Sequence, residues 1–383
     1  MNKIAVLTSI DGNHGAAAFN DALNDALQDT LPTHEIEFLR YQPWGIIAFE
    51  LLRASKPNRR IPFYNFRRYR KILNHEFDRL LIKRVPPLNT ASILRIIEQQ
   101  EYDAVIVAKV VWDFVEHSYL PNFPHAFWLS ETLPTKKIGY AVSGHRSNLD
   151  SFRTHKEQVS RILNTYSLIG VRDDITMEMM LEAGVNKHVP VQRVPDPAFM
   201  FEVPESKTED VRNKFGLDAS RPTLGLLLFG KPAFSRVVYD YYREKGYQVV
   251  NFNMFNPFVD LNLGHLVDPI EWAALYKTLD FCITDRFHAS VMCIKNRIPF
   301  AATEPFRPLS LKQSKVHDLL KHFDLLESYL GNLDDNGPFD DVLETFDHLE
   351  RNWKTLHHER LAVRLEEVKQ QHEAFLQQIQ RLV

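Results

Sequence analysis

The sequence predicts an α/β protein in which two Rossmann-like domains face a central cleft and a long amphipathic helix follows them. Its 383 residues exceed what one hydrophobic core usually organises, so we expect two domains. Strand patterns and helix patterns alternate along both halves, which is typical of parallel sheets covered by helices. The predicted division is 1–203, 204–335 and a helical end at 336–383.

Ten short apolar runs, each bounded by turn residues, predict the strands of the two sheets. A segment of mixed charge that contains a proline, 203–218, separates the two sets and predicts the domain boundary. The predicted strands are 3–8, 35–39, 104–107, 137–140, 168–171 and 191–193 in the first half, and 223–229, 248–253, 281–284 and 298–302 in the second.

Beyond Asp340, apolar residues recur mostly at steps of three and four, which predicts a long amphipathic helix. We expect this helix to pack back across one of the domains or to cross between the two. The alternative is a coiled-coil seam between two subunits, which leaves a homodimer open. The residues that define the stripe are Leu361, Leu365, Val368, Phe375, Ile379 and Leu382.

The composition, 44% hydrophobic and 25% charged, is that of an ordinary globular protein. A net charge of -3 argues against affinity of the whole protein for nucleic acid or an anionic membrane. The two cysteines, Cys282 and Cys293, lie on a buried strand pattern and the next helix, which indicates packing in a reducing compartment. No run approaches the roughly 20 apolar residues of a membrane span, and the chain enters a strand directly, so we expect a cytoplasmic protein.

The segment 53–84 departs from the even charge balance because basic residues alternate with aromatic ones. Such a mixture can bind single-stranded nucleic acid, or receive an acidic or phosphorylated sugar. The favoured interpretation is a helical insertion with inward aromatic side chains and no catalytic role. Its members include Arg59, Arg60, Arg67, Arg68, Arg70 and Lys71, with Phe63, Tyr64, Phe66 and Tyr69.

The strongest functional signal lies in 279–302, where a buried strand leads into a helix through Asp285-Arg286-Phe287-His288. In open α/β sheets, ligands bind where strands end and helices begin, since the helix N-terminus offers free N–H groups to an anion. Arg286 can hold a carboxylate or phosphate with its planar fork, and His288 can transfer a proton near neutral pH.

Four further segments accompany this turn in a fixed order. They are Gly12-Asn13-His14-Gly15 after the first strand, Ile169 to Asp173 with Arg172, Val194 to Phe199 with Asp196, and Ser314 to Leu320 with Lys315. Together with the Arg286 turn, the ordered set resembles the polysaccharide pyruvyl transferase family over about 4–330. The resemblance implies the B-type glycosyltransferase architecture.

The resemblance also implies a reaction, in which a pyruvyl group passes from phosphoenolpyruvate to two hydroxyls of a sugar and forms a ketal during surface or exopolysaccharide synthesis. It implies that the acceptor is a sugar or a lipid-linked oligosaccharide, so that contact with a membrane surface is expected. Phosphoenolpyruvate is a co-substrate, and neither a cofactor nor a metal is expected. The implied roles are proton transfer for His288, donor binding for Arg172, Arg286 and Lys315, and acceptor-side positions for Asn13 and His14. Lys231 is a further candidate donor ligand because it follows the predicted strand 223–229, and a surface lysine is the alternative.

Two turns depart from the family pattern. Ala108 and Lys109 stand where most members have a glycine-rich turn, and Ala16 stands where many have an aspartate. Both departures concern the acceptor side of the cleft. Two other function classes therefore stay open, a nucleotide-sugar-dependent glycosyltransferase of the same architecture and a non-enzymatic polysaccharide-binding protein.

Overall fold

A computed structural model describes residues 2–9, 12–56, 58, 60–80, 89–114, 123–187, 189–305 and 310–383. Its first sheet is parallel throughout, with strand order β2-β1-β3-β4-β5-β6. The predicted strands of this half are all present and differ from the observed ones by no more than a few residues. They are β1 (Asn2–Thr8), β2 (His34–Arg40), β3 (Ala104–Val110), β4 (Lys136–Ser143), β5 (Leu168–Val171) and β6 (Val191–Arg193).

The second sheet is also parallel, with order β11-β10-β7-β8-β9. Its strands are β7 (Thr223–Leu227), β8 (Gln248–Asn251), β9 (Leu261–Asn262), β10 (Phe281–Thr284) and β11 (Phe300–Ala302). Strand β7 ends two residues before the prediction, because the N–H of Phe229 donates to the Asp285 carboxylate instead of a neighbouring strand. The two-residue β9 was not predicted, since it is too short to show a period. Cys282 and Cys293 in this half are both buried and free.

Helices cover both sheets, as the alternating pattern predicts. Those of the first half are α1 (His14–Thr30), α2 (Trp44–Ser55), α3 (Tyr64–Arg79), α4 (Thr90–Gln99), α5 (Leu149–Leu163) and α6 (Asp174–Glu182). Those of the second half are α7 (Ser206–Phe215), α8 (Pro232–Glu244), α9 (Pro269–Tyr276), α10 (Phe287–Lys295) and α11 (Lys315–His322). The change from one sheet to the other falls between Arg193 and Thr223, an interval that contains the predicted boundary at 203–204.

The last helix, α12 (Asp340–Leu382), packs on both halves, which is the crossing arrangement of the two that were expected. Trp353 lies in the core of the second sheet, and Phe375 lies in the core of the first. A Cβ at Gly170 of β5 would lie 2.7 Å from the Phe375 ring, so glycine is required where the helix meets this strand. The apolar face of α12 is thus buried within the chain. No helix in the described ranges combines the length and apolarity needed to span a bilayer.

We expect Phe375→Ala to lower the free energy of unfolding by about 3–5 kcal/mol, because a fully buried aromatic ring is replaced by a cavity. Val363→Ala on the same helix is the control, since Val363 is largely exposed and its loss should change stability by about 0.5 kcal/mol or less. Denaturant unfolding of both variants measures the difference. Equal effects would mean that α12 does not dock through Phe375.

Candidate functional site

The carboxyl ends of the two sheets face one cleft. The strand order reverses between β1 and β3 in the first sheet and between β7 and β10 in the second, and ligands of open α/β sheets bind at such points. The two reversal points meet, because a Cβ at Gly15 of α1 would lie 2.3 Å from the Cβ of His288 on α10. Only glycine allows this approach, so the first turn of α1 brings the first domain against His288.

Arg286 lies at the reversal point of the second sheet. Its Nε is 2.8 Å from Oδ1 of Asp285, and its guanidinium lies over the Phe229 ring with 5.2 Å between Cζ and the ring centroid. Burial raises the pKa of the Asp285 carboxyl to about 6, while Arg286 acts in the opposite direction on this pKa. One nitrogen of the arginine, Nη2, is buried and has no hydrogen-bond partner within the described residues. Arg286 is therefore oriented by protein contacts and keeps one donor available.

His288 lies two residues further along the chain, in the first turn of α10, and lines both cavities of the cleft. Its Nε2 is 3.7 Å from Oδ2 of Asp196, too far for a hydrogen bond, and it has no other partner in the described part of the chain. Burial is the main reason that the pKa of His288 is lowered to about 3. The cations of Arg172 and Lys315 act in the same direction on this pKa, whereas Asp196 opposes them. The imidazole is consequently neutral at pH 7.

Arg172, which follows β5, reaches the same point from the first domain. Its Nη1 forms a buried ion pair of 2.5 Å with Asp196, and its guanidinium lies over the Phe287 ring at 4.8 Å from the centroid. The Nη2 atom is buried without a hydrogen-bond partner among the described residues. Because buried donors are nearly always satisfied, the unpaired atoms of Arg172, Arg286 and His288 indicate a place for a ligand.

Lys315, the first residue of α11, completes this side of the cleft. Ser314 accepts a hydrogen bond of 2.9 Å from the N–H of His317 and so begins the helix. The Lys315 ammonium lies 5.4 Å from the Phe287 centroid, with no hydrogen-bond or ion-pair partner in the described ranges. Burial, followed by the neighbouring arginines, lowers the pKa of Lys315 to about 8. A partly exposed, unpaired ammonium beside two arginines is suited to an anionic ligand.

Two adjoining cavities occupy the cleft, of about 530 Å³ and about 350 Å³. The first reaches Arg286 and Arg68, and the second reaches Arg172 and Lys109. No group of three potential metal-binding His, Cys, Asp or Glu residues occurs in the described ranges. The residues that line both cavities are Asn13, Arg53, His145, Arg146, His288 and Lys315.

Three further cleft residues lie at or just beyond the ends of strands of the first sheet. Lys109, the next-to-last residue of β3, has a φ of 88°, a left-handed conformation that favours glycine, and its ammonium donates to the Ser9 carbonyl at 2.9 Å. This is the turn at which the family pattern has glycines. His145 and Arg146 follow β4, and burial lowers the pKa of His145 well below its ordinary value. The strand-end argument that identified Arg286 would also have identified these residues.

The basic and aromatic segment also contributes side chains to the wall of the cleft, while the absence of a catalytic role stays a prediction. Arg68 of α3 is buried beside the first cavity, and burial together with Arg53 lowers its pKa to about 10. The helix reaches the second domain, since the Tyr64 hydroxyl donates to the Asn253 carbonyl at 2.8 Å. Only some of the aromatic residues point inward, because Phe63 and Phe66 are exposed. Arg59 and 81–84 lie outside the described residues.

Of three further predicted site residues, Lys231 and His14 have other surroundings, whereas Asn13 borders the cleft. Lys231 donates to the Leu333 carbonyl at 2.6 Å and lines neither cavity. His14 is 1% exposed, with its ring stacked on Trp272 between the domains at 5.9 Å. Asn13 caps α1 by accepting a hydrogen bond of 3.0 Å from the Gly15 N–H, and it lines both cavities.

Solved structures share the architecture at low sequence identity. The UDP-GlcNAc 2-epimerase from Neisseria meningitidis bound to UDP-GlcNAc superposes with a TM-score of 0.61 and 10% identity, covering 99% of this chain and 100% of the other. A glycosyltransferase from Rickettsia africae gives a TM-score of 0.52 and 10% identity, covering 100% and 99%. These similarities, and the long helix across both domains, confirm the predicted B-type glycosyltransferase fold.

Sequence comparison identifies the family. No curated protein matches the chain. The model of the polysaccharide pyruvyl transferase family matches residues 13–304, which is most of the chain and includes the turns that carry Asn13, Arg172 and His288. The chain therefore belongs to the polysaccharide pyruvyl transferase family.

Proposed function

We propose that this protein transfers a pyruvyl group from phosphoenolpyruvate to two hydroxyls of a sugar and forms a cyclic ketal, as a step of surface or exopolysaccharide synthesis. The observation that carries the proposal is the set of unpaired buried atoms at the cleft. Nη2 of Arg172, Nη2 of Arg286 and Nε2 of His288 all lack partners among the described residues. Two anion-binding forks and one proton carrier are what this reaction requires.

The donor has two anionic groups, and the cleft offers two pairs of cations near His288. Arg172 and Lys315 lie over the Phe287 ring, and Arg286 and Arg68 line the first cavity. In our proposal one pair binds the phosphate and the other binds the carboxylate. Charge-assisted hydrogen bonds from buried arginine forks are strong and directional, so they also orient the reacting carbons.

The bond changes can be followed atom by atom. The methylene carbon of the donor gains a proton, and the adjacent carbon forms a bond to the first sugar oxygen. Phosphate then leaves with its bonding electrons, and the second hydroxyl oxygen takes its place. One hydroxyl proton ends on the new methyl group and the other leaves with phosphate or solvent. Donor and diol thus give a ketal and inorganic phosphate.

His288 is proposed to carry the first of these protons. Because its pKa is lowered to about 3, it is neutral at pH 7 and can accept the proton of the attacking hydroxyl. The anionic donor would offset the cations of Arg172 and Lys315, which raises the pKa of the imidazole and favours protonation. The imidazolium can then donate to the methylene carbon. One residue serves in turn as base and acid.

The acceptor is proposed to occupy the second cavity. Its wall includes the aromatic rings of Tyr41 and Phe127, which offer stacking surfaces to a sugar, and the carboxylates of Glu50 and Asp113, which can accept hydrogen bonds from hydroxyls. The cavity opens beside His288, so a hydroxyl held there would approach the donor. A sugar or lipid-linked oligosaccharide fits this proposal. Membrane contact and pairing into a homodimer stay predictions.

A thermal-shift comparison of phosphoenolpyruvate with nucleotide sugars tests the donor. A ligand at about 100 times its Kd stabilises the native state by about 2.7 kcal/mol. We expect phosphoenolpyruvate to raise Tm without added divalent metal, and nucleotide sugars to have little effect. Phosphate release that depends on an acceptor sugar would then establish transfer. Stabilisation by nucleotide sugars alone would favour the glycosyltransferase alternative.

We expect donor affinity to fall about tenfold from pH 7 to pH 9, since a lysine with pKa about 8 goes from about nine-tenths to about one-tenth protonated. Lysine binds an anion only in its charged form, so affinity is high below pH 8 and declines above it. Lys315→Arg should remove the decline, because arginine keeps its charge. Lys312→Arg, at an exposed neighbour paired with Glu178, is the control and should retain it. Calorimetric titration across this range measures the slopes, and an unchanged slope in Lys315→Arg would contradict the assignment.

A further inference from the structure

The exposed faces of α2 and α3 carry an unusual combination of apolar and basic side chains. On α2, Trp44, Leu51 and Leu52 lie on one helical face and are 64%, 50% and 68% exposed. On α3 and its preceding residue, Phe63 and Phe66 are 69% and 45% exposed. The two helices pack against each other. We call these apolar side chains and the exposed cations around them the docking face. It consists of Trp44, Leu51, Leu52, Phe63 and Phe66, with Lys56, Arg60, Arg67 and Arg70.

The charge of this segment is opposite to that of the protein. Residues 44–71 contain eight basic side chains and one acidic one, the buried Glu50, in a chain whose net charge is -3. Arg67 and Arg70 have no carboxylate partner in the described part of the chain. Exposed tryptophan, phenylalanine and leucine beside unpaired arginines are suited to the interface of a bilayer that contains anionic lipids.

We propose that the docking face binds the surface of an anionic lipid bilayer. The apolar side chains would enter the interface between headgroups and acyl chains, while the cations contact lipid phosphates. A second copy of the chain is a poorer occupant, because a symmetric contact would bring the arginine clusters of the two copies together. An anionic bilayer thus offers an apolar layer to the exposed rings and negative charge to the exposed cations of the docking face.

The position of the face connects it to the cleft. Another side of α2 presents Ile46, Phe49 and Arg53 to the second cavity. A protein docked through Trp44 and Leu52 would therefore hold the mouth of this cavity at the lipid headgroups. If the proposed function is correct, on which this consequence rests, the acceptor is lipid-linked and its sugar enters the cleft directly from the membrane surface. Docking itself does not depend on that reaction.

One fluorophore reports on the docking face. Four of the five tryptophans, Trp112, Trp128, Trp272 and Trp353, are 2% exposed or less, whereas Trp44 is 64% exposed. Vesicles of phosphatidylglycerol and phosphatidylcholine should shift the emission of the full chain to shorter wavelength and protect it from a soluble quencher. Vesicles of phosphatidylcholine alone should do so much less. Trp44→Phe should abolish the change in fluorescence while the protein still sediments with anionic vesicles.

Variants separate the apolar and the electrostatic contributions. Leu51→Ser/Leu52→Ser should weaken vesicle binding at least about tenfold, because two exposed leucines no longer enter the interface. Arg67→Gln/Arg70→Gln should weaken it about 25-fold, roughly fivefold for each cation. Leu356→Ser/Val363→Ser, which removes exposed apolar residues from α12, is the matched control and should bind like the unmodified protein.

Three results would overturn the proposal. The first is equal vesicle binding by the docking-face variants and the control, and the second is no vesicle binding by the unmodified protein. The third is a shift of Trp44 emission that depends on protein concentration, occurs without lipid and accompanies dimer formation in light scattering. The last would assign the face to contact between copies. Vesicle binding is measured without donor or acceptor. If the protein binds vesicles but transfers no pyruvyl group, the result contradicts only the proposed function.

Discussion

We expect His288→Gln to lower kcat by about 10²- to 10⁴-fold while donor affinity changes little, since the imidazole transfers a proton in the transition state. Glutamine keeps a hydrogen-bonding amide of similar size but cannot accept and return a proton. The histidine is held by the close packing of Gly15 and lies near Asp196, so the substitution removes its titration without opening a large cavity. Acceptor-dependent phosphate release measures turnover.

The control for this variant is His348→Gln, which changes an exposed histidine on α12 that bonds only Asn352 among the described residues. It should have the turnover of the unmodified protein. Donor affinity is determined by calorimetry on the same samples. Near-normal turnover in His288→Gln would reduce this histidine to a positioning group and leave the proton carrier to another residue of the cleft, of which the neutral His145 is the first candidate.

Arg286→Ala should abolish measurable donor binding, because it removes a fork that is already oriented by Asp285 and the Phe229 ring. Arg286→Lys should bind weakly, since it keeps the charge but loses the paired donors. Arg236→Ala, at an exposed arginine of α8, controls for the loss of one positive charge. Thermal unfolding without ligand checks that the fold is retained. Unchanged affinity in Arg286→Ala would place the donor elsewhere.

Arg172 needs a different substitution. Its buried ion pair with Asp196 means that Arg172→Ala would leave a carboxylate unpaired, which typically costs about 3–5 kcal/mol of stability. Arg172→Met/Asp196→Asn removes both charges and leaves the neighbouring Phe287 a contact of similar volume. We expect this double variant to fold and to lose donor binding, which would separate the two roles of the arginine.

The turn that carries Arg286 and His288 could be predicted from sequence, because it is defined by neighbouring residues. A buried strand followed by Asp285-Arg286-Phe287-His288 and a helix is sufficient to place two functional groups at a strand end. Lys231 also follows a strand, but it bonds the Leu333 carbonyl and lines neither cavity. Position after a strand does not determine where a long side chain points. That direction depends on segments distant in the chain.

Arg68 shows the opposite case. Its segment reads locally as an exposed basic helix, and nothing near it in sequence indicates that α3 reaches Asn253 of the other domain. The pattern of Tyr64, Arg68 and Ile72 at four-residue steps on one buried face was the available signal, since it places an arginine between two core residues. Burial of that face against the second domain is what brings the arginine into the cleft.

The sequence by itself determined the two parallel sheets, the last helix and the identity of the Arg286 and His288 turn, because hydrophobic periodicity and strand-end position are properties of neighbouring residues. Only the tertiary structure decided that α12 spans both domains, that His14 packs on Trp272, and that Arg172 from one domain and Lys315 from the other meet at one phenylalanine ring. The His14–Trp272 and Arg172–Phe287 contacts join residues more than a hundred positions apart. Their geometry depends on how two independently patterned halves pack, which local propensity does not specify.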